Sequence, residues 1–143
     1  MNSPLSTSTS ESARPLALQS YKPAGAHLLA DLYGIRADKL KDAHLIEALL
    51  LKSAQAAGAK ILFSHFHAFG SEQGVTGVVL LAESHISIHT WPEYGFAAAD
   101  IFMCGNAEPQ RALDVIQAAL EPDSSAVQTI GRGLSEKWNA LAV

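Results

Sequence analysis

The sequence predicts an α+β fold: a two-layer sandwich in which a mainly antiparallel sheet is covered on one face by two helices. Three observations lead there. Apolar runs near 60–70, 75–83, 85–91 and 96–104 follow one another through short turns, whereas parallel strands need long crossovers. The stretches 38–57 and 106–120 repeat apolar residues at helical spacing, so each has one face to bury. With 143 residues, the chain is long enough for one core and one domain.

The elements follow in order. GAHLLADLYG (25–34) has an apolar centre and glycine at each end, which suits a strand. Asp38 is a plausible N-cap for a helix running to about Ala57, with Gly58 as its stop and Leu45, Ile46, Leu49 and Leu50 on its apolar face. KILFSHFHAFG (60–70) reads as a strand, the turn Ser71–Gly74 follows, and VTGVVLLAE is apolar on both faces. HISIHTW alternates Ile86 and Ile88 against His85, Ser87 and His89. A Pro92–Gly95 turn leads into FAAADIFMC, which ends at Cys104-Gly105. From Asn106 to Leu120 the spacing of Ala112, Leu113, Ile116 and Leu120 predicts a second helix, with Pro109 tolerated in its first turn. AVQTIGRG supplies a last short strand. The sheet face away from the helices then carries polar residues or meets a partner subunit.

Residues 1–20, rich in Ser and Thr with neither a basic start nor an apolar core, read as a disordered tail and not as a signal peptide; 21–143 form the domain. The net charge of −4 and the scattered Lys and Arg argue against nucleic-acid binding. No apolar run approaches the ~20 residues of a membrane span. The single cysteine, Cys104, cannot form an internal disulfide, which fits a reducing cytoplasm. Glycine-rich phosphate loops, paired CxxC motifs and a GxSxG elbow are all missing.

His65 and His67, two apart on one strand, share a face, and with His89 and Cys104 they can in principle approach a zinc ligand set. No carboxylate or second cysteine completes it, so no metal is expected. Ser84 stands out by its company. It follows Glu83, lies in an apolar strand, and has His89 five residues on. A strained Glu83–Ser84 bond lets the hydroxyl add to the Glu83 carbonyl and turn the amide into an ester. A base near the serine α-proton, for which His89 is the natural candidate, then allows β-elimination. Hydrolysis leaves a pyruvoyl group, a ketone able to form a Schiff base with an amine and accept electrons as carbon dioxide departs. Sequence physics permits this route without requiring it.

The stretch ESHISIHTWPEYGFAAADIFMCG, residues 83–105, closely resembles the signature of the prokaryotic S-adenosylmethionine decarboxylases, and the likeness extends from about Gly25 to Gly133. The resemblance implies a proenzyme that cuts itself between Glu83 and Ser84, with a covalent pyruvoyl cofactor made from Ser84. It implies that His89 assists the elimination, that Cys104 returns a proton to the product carbon, that Glu93 binds the ribose hydroxyls, and that Phe69 stacks on adenine. It further implies a two-layer α/β sandwich and a homodimer, or higher assembly, with sites at subunit boundaries. The processing hydroxyl of the GVxG segment, often serine in the family, is Thr76 here, whose methyl restricts its rotamer. Ala26 and Ala68 stand where basic residues are frequent, and the 70–74 loop is one residue longer than usual.

The expected activity is therefore decarboxylation of S-adenosylmethionine to the aminopropyl donor for spermidine synthesis. Two alternatives stay open at the level of sequence: the same chemistry on ornithine or arginine, which Ala26 and Ala68 would favour, and an unprocessed regulatory homologue.

Overall fold

The structure is a computed structural model that describes residues 23–134; the expected tail over 1–20 lies outside them. Six strands form one antiparallel sheet: β1 (Gly25–Tyr33), β2 (Ile61–Ala68), β3 (Val75–Leu81), β4 (Ser84–Trp91), β5 (Phe96–Cys104) and β6 (Ser124–Arg132), in the order β2-β3-β4-β5-β1-β6. Helices α2 (Ala43–Ala56) and α3 (Pro109–Leu120) cover one face, and a single turn, α1 (Ala37–Leu40), precedes α2. The predicted sandwich is the one observed. Among the described residues no helix is long and apolar enough to cross a membrane.

The period-two alternation of the strands decides what lies inside. Leu28 and Leu32 of β1, Val79 of β3, Ile86 and Ile88 of β4, and Ile101 of β5 point toward the helices and are buried. Ile46 and Leu50 of α2 and Leu113 and Ile116 of α3 meet them. Each such side chain contributes about 1.5–3 kcal/mol by leaving water. Gly77 on β3 makes room for Phe66 of β2, whose ring occupies the space a Cβ would need.

The start of the long helix differs from the sequence expectation. Asp38 does not cap it; Asp38 pairs instead with Arg36 at 2.8 Å. Asp42 is the N-cap, its carboxylate accepting the backbone N–H groups of His44 and Leu45 at 3.0 and 3.1 Å. Two acidic residues four apart compete for the role, and the one that reaches two orphan N–H groups takes it. The second helix begins later than Asn106, with Pro109 in its first turn, where the missing N–H costs nothing. The last strand is longer than predicted, nine residues at a sheet edge beside β1.

Among the described residues, nothing covers the other sheet face. It carries Leu80 and Ile130, both 44% exposed, and Phe63 at 57%. Five of the six histidines, His27, His65, His67, His85 and His89, alternate with the buried rows and so point to this face.

Candidate active site

Strand β4 carries sequence-predicted site residues at both ends, and the two ends are built differently. At its start, Leu81 pairs with Ser84 across the two-residue turn Ala82–Glu83. Glu83 sits at φ +60°, in the left-handed region that favours glycine. Strain is thus stored in the residue that contributes the carbonyl of the Glu83–Ser84 bond. Ser84 is half-buried, and its Oγ accepts the Cys104 N–H at 3.1 Å from the end of β5. Gly105, at φ +65°, turns the chain immediately after Cys104.

Glu83, Ser84 and Cys104 line one cavity of about 520 Å³, together with Lys60, Leu62 and Asn106. Burial pushes the Cys104 thiol above its ordinary pKa, and the Glu83 carboxylate pushes it further, against a smaller downward pull from the Ser84 hydrogen bond. The thiol is therefore held in its protonated form.

At the far end of β4 the backbone is relaxed and the polar groups satisfy one another. Thr76 of β3 lies directly opposite His89, and Thr76 Oγ1 is 2.9 Å from His89 Nδ1. Phe69, Thr76, His89, Trp91 and Glu93 line a second cavity of about 480 Å³. Phe69 is 59% exposed, with its ring free on one side and edge-on to His67 on the other at 4.8 Å. Pro92–Tyr94 forms a 3₁₀ turn that carries Glu93. Thr90 pins this end from below: its buried hydroxyl donates to the Leu40 carbonyl at 2.6 Å and accepts the Val75 N–H at 2.8 Å.

The sequence-predicted residues thus fall into two groups. Glu83, Ser84 and Cys104 are together; Thr76, His89, Phe69 and Glu93 are together. Within one chain, however, His89 does not approach Ser84. Five residues of extended strand separate them by roughly 16 Å, and an odd spacing turns them to opposite sheet faces. His65 and His67 face the same side as His89, while Cys104 sits at the Ser84 end, so these four do not gather around one point.

Trp91 also lines the His89 cavity, and its position two residues from His89 on one strand is the signal in the sequence that points to it. Lys60 and Asn106 were missed altogether, because only the folded register brings them beside Ser84. Between the two ends, on the uncovered face, His27 and His85 meet edge to face at 6.1 Å, both against Phe102. Among the described residues, His27 Nε2 is buried without a hydrogen-bond partner. Burial, then the nearby His27, lowers the His85 pKa, and Asp100 partly offsets this.

Comparison with known proteins finds relatives across most of the chain. The model of the family described as S-adenosylmethionine decarboxylase matches residues 26–133. The S-adenosylmethionine decarboxylase proenzyme of Methanococcus maripaludis is 43% identical over 114 residues, covering 79% of this chain and 93% of that one. The proenzyme of the same name from Aquifex aeolicus is 45% identical over 117 residues, covering 81% and 86%. The crystal structure of the adenosylmethionine decarboxylase from Aquifex aeolicus superposes with a TM-score of 0.73 at 43% identity, over 79% of this chain and 93% of that one.

Proposed function

The chain belongs to the S-adenosylmethionine decarboxylase family, and from that premise we propose how its residues divide the work. The activity is decarboxylation of S-adenosylmethionine, giving the aminopropyl donor for spermidine synthesis. The observation that carries the reading is the left-handed Glu83 directly before a half-buried Ser84, with Cys104 in the same cavity.

These residues fit a pyruvoyl group made in place. The Ser84 hydroxyl adds to the strained Glu83 carbonyl, the C–N bond breaks, and an ester joins the two segments. His89 takes the α-proton of residue 84, with Thr76 fixing its ring through the 2.9 Å contact. Glu83 leaves as a carboxylate, and hydrolysis of the enamine exposes a ketone at the new N-terminus. When formed, that ketone supplies an electron sink for the amine-bearing carbon of the substrate. Cys104, held protonated, returns a proton to the product carbon. Phe69 offers a face for adenine, and Glu93 offers a carboxylate for the ribose hydroxyls.

Because His89 and Ser84 lie at opposite ends of β4, the working site is completed by a second copy. A two-fold axis across the uncovered sheet face sets the Ser84 end of one protomer against the His89 end of its partner, and the reverse, making two equivalent sites. Exposed Phe63, Leu80 and Ile130 and the unpartnered His27 Nε2 support burial of that face.

The test is carbon dioxide release by the purified protein from carboxyl-labelled S-adenosylmethionine, with ornithine and arginine in parallel and a denaturing gel alongside. The expected result is two fragments, split after Glu83, and release from S-adenosylmethionine alone. Release from an amino acid would move the substrate, and a single uncut band with no release would remove the enzyme.

A further inference from the structure

We propose that Lys60 is the cation that receives the Glu83 carboxylate as it leaves Ser84 during self-cleavage. The proposal rests on the maturation route above and assigns a residue to its second step.

Lys60 immediately precedes β2, and its carbonyl accepts the Ala82 N–H at 2.9 Å. Ile61 pairs with Leu81 beside it, so Lys60 lies across from the turn that contains the scissile bond. It lines the same cavity as Glu83, Ser84 and Cys104, and among the described residues it is the only cationic one to do so. Among the described residues its ammonium has no hydrogen bond and no ion pair, whereas Lys39 and Lys41 hold Glu121 and Glu72. A free ammonium beside a bond that is to become a carboxylate is suited to that product.

The step balances without any other reactant. The α-proton of residue 84 passes to the base. Its electron pair forms the Cα–Cβ double bond, the Cβ–Oγ bond breaks, and that pair leaves with Glu83 as a carboxylate. Lys60 keeps its proton throughout and stabilises the developing charge through a charge-assisted hydrogen bond. The substrate carboxylate is the less suitable partner. An ammonium on a carboxylate that is about to depart as carbon dioxide would stabilise the ground state and slow the reaction.

Cell-free synthesis with a radiolabel pulse, sampled on denaturing gels with and without hydroxylamine, reads the step directly. Hydroxylamine cuts an accumulated ester and releases the 1–83 fragment from the full-length band. In Lys60→Met the ester should form and then persist, its loss slowed about tenfold. Lys60→Arg should restore most of the rate, because it restores the charge. Equal ester loss in Lys60→Met and the unaltered chain would overturn the proposal, as would Lys60→Arg as slow as Lys60→Met. Lys60→Met/Ser84→Ala should melt with Ser84→Ala alone; a large drop would make Lys60 structural and also overturn it. An unaltered chain that never splits would bring down the maturation reading itself.

Discussion

The two ends of β4, a strand of eight residues, differ in almost every physical respect. The Ser84 end stores strain in a left-handed glutamate and sets beside it a half-buried serine, a thiol of raised pKa and a lysine that is unpaired among the described residues. The His89 end has an unstrained backbone and polar groups already bonded to each other, with an aromatic ring left open. In the proposed reading, one end breaks a bond, and the other supplies a base and a binding surface. In the proposed division of work, separating them along a rigid strand would keep either from acting alone, and competence would depend on pairing.

The sharpest way to break this comparison is complementation. His89→Ala expressed alone should stay uncut and release no carbon dioxide, and Ser84→Ala should do the same. Expressed together, they should yield mixed pairs in which the intact Ser84 faces the intact His89, and fragments from the His89→Ala chain should appear on the gel. If co-expression restores nothing, the division between subunits is wrong.

A smaller loss separates cutting from turnover within the Ser84 end. Cys104→Ala should cut at the normal rate yet release carbon dioxide about 10²- to 10³-fold more slowly, as expected for loss of a proton donor. The sign of the pH dependence follows from the raised thiol pKa. The donor form persists through neutrality, and turnover of the mature protein should fall only as pH rises past the ordinary thiol range. A decline beginning near neutral pH, measured on carbon dioxide release, would speak against Cys104.

At the His89 end, Thr76→Ser should speed maturation several-fold by freeing the hydroxyl rotamer that faces the imidazole. An unchanged cleavage rate on the gel would mean that threonine already holds the productive geometry. The smallest effect concerns stored strain. In a Ser84→Ala background, Glu83→Gly should raise stability by up to about 1 kcal/mol, or a few degrees in Tm, since glycine accepts the left-handed backbone. A lower Tm would show that Glu83 is not strained.

Much of this was legible in the sequence, and for identifiable reasons. The alternation of His85, Ile86, Ser87, Ile88 and His89 fixed a strand with one buried face, and the 83–105 signature named the chemistry. What did not show was relative position. Ser84 and His89 look adjacent in a motif, but a strand rises roughly 3.3 Å per residue and turns every odd step to the other face. Asp38 reads as the cap in the sequence, but the fold offers the first helical N–H groups to Asp42 instead. Lys60 carries no local signal because a bulge between Ile61 and Phe63 sets its register against the cleavage turn.

The strand order β2-β3-β4-β5-β1-β6 interlaces the two sides of the Glu83–Ser84 bond. Residues before it contribute β1, β2 and β3, and residues after it contribute β4, β5 and β6. β1 is threaded between β5 and β6, while the β4–β5 pair is threaded between β3 and β1. Pulling the fragments apart means breaking three full ladders, so a cut in the turn leaves the native particle woven shut. The change falls on the unfolded side, where one chain has become two. Refolding from denaturant then requires the fragments to find each other, and its rate should depend more steeply on protein concentration than that of uncut Ser84→Ala. A cut there would make folding an act of assembly, one that the finished enzyme would have no occasion to repeat.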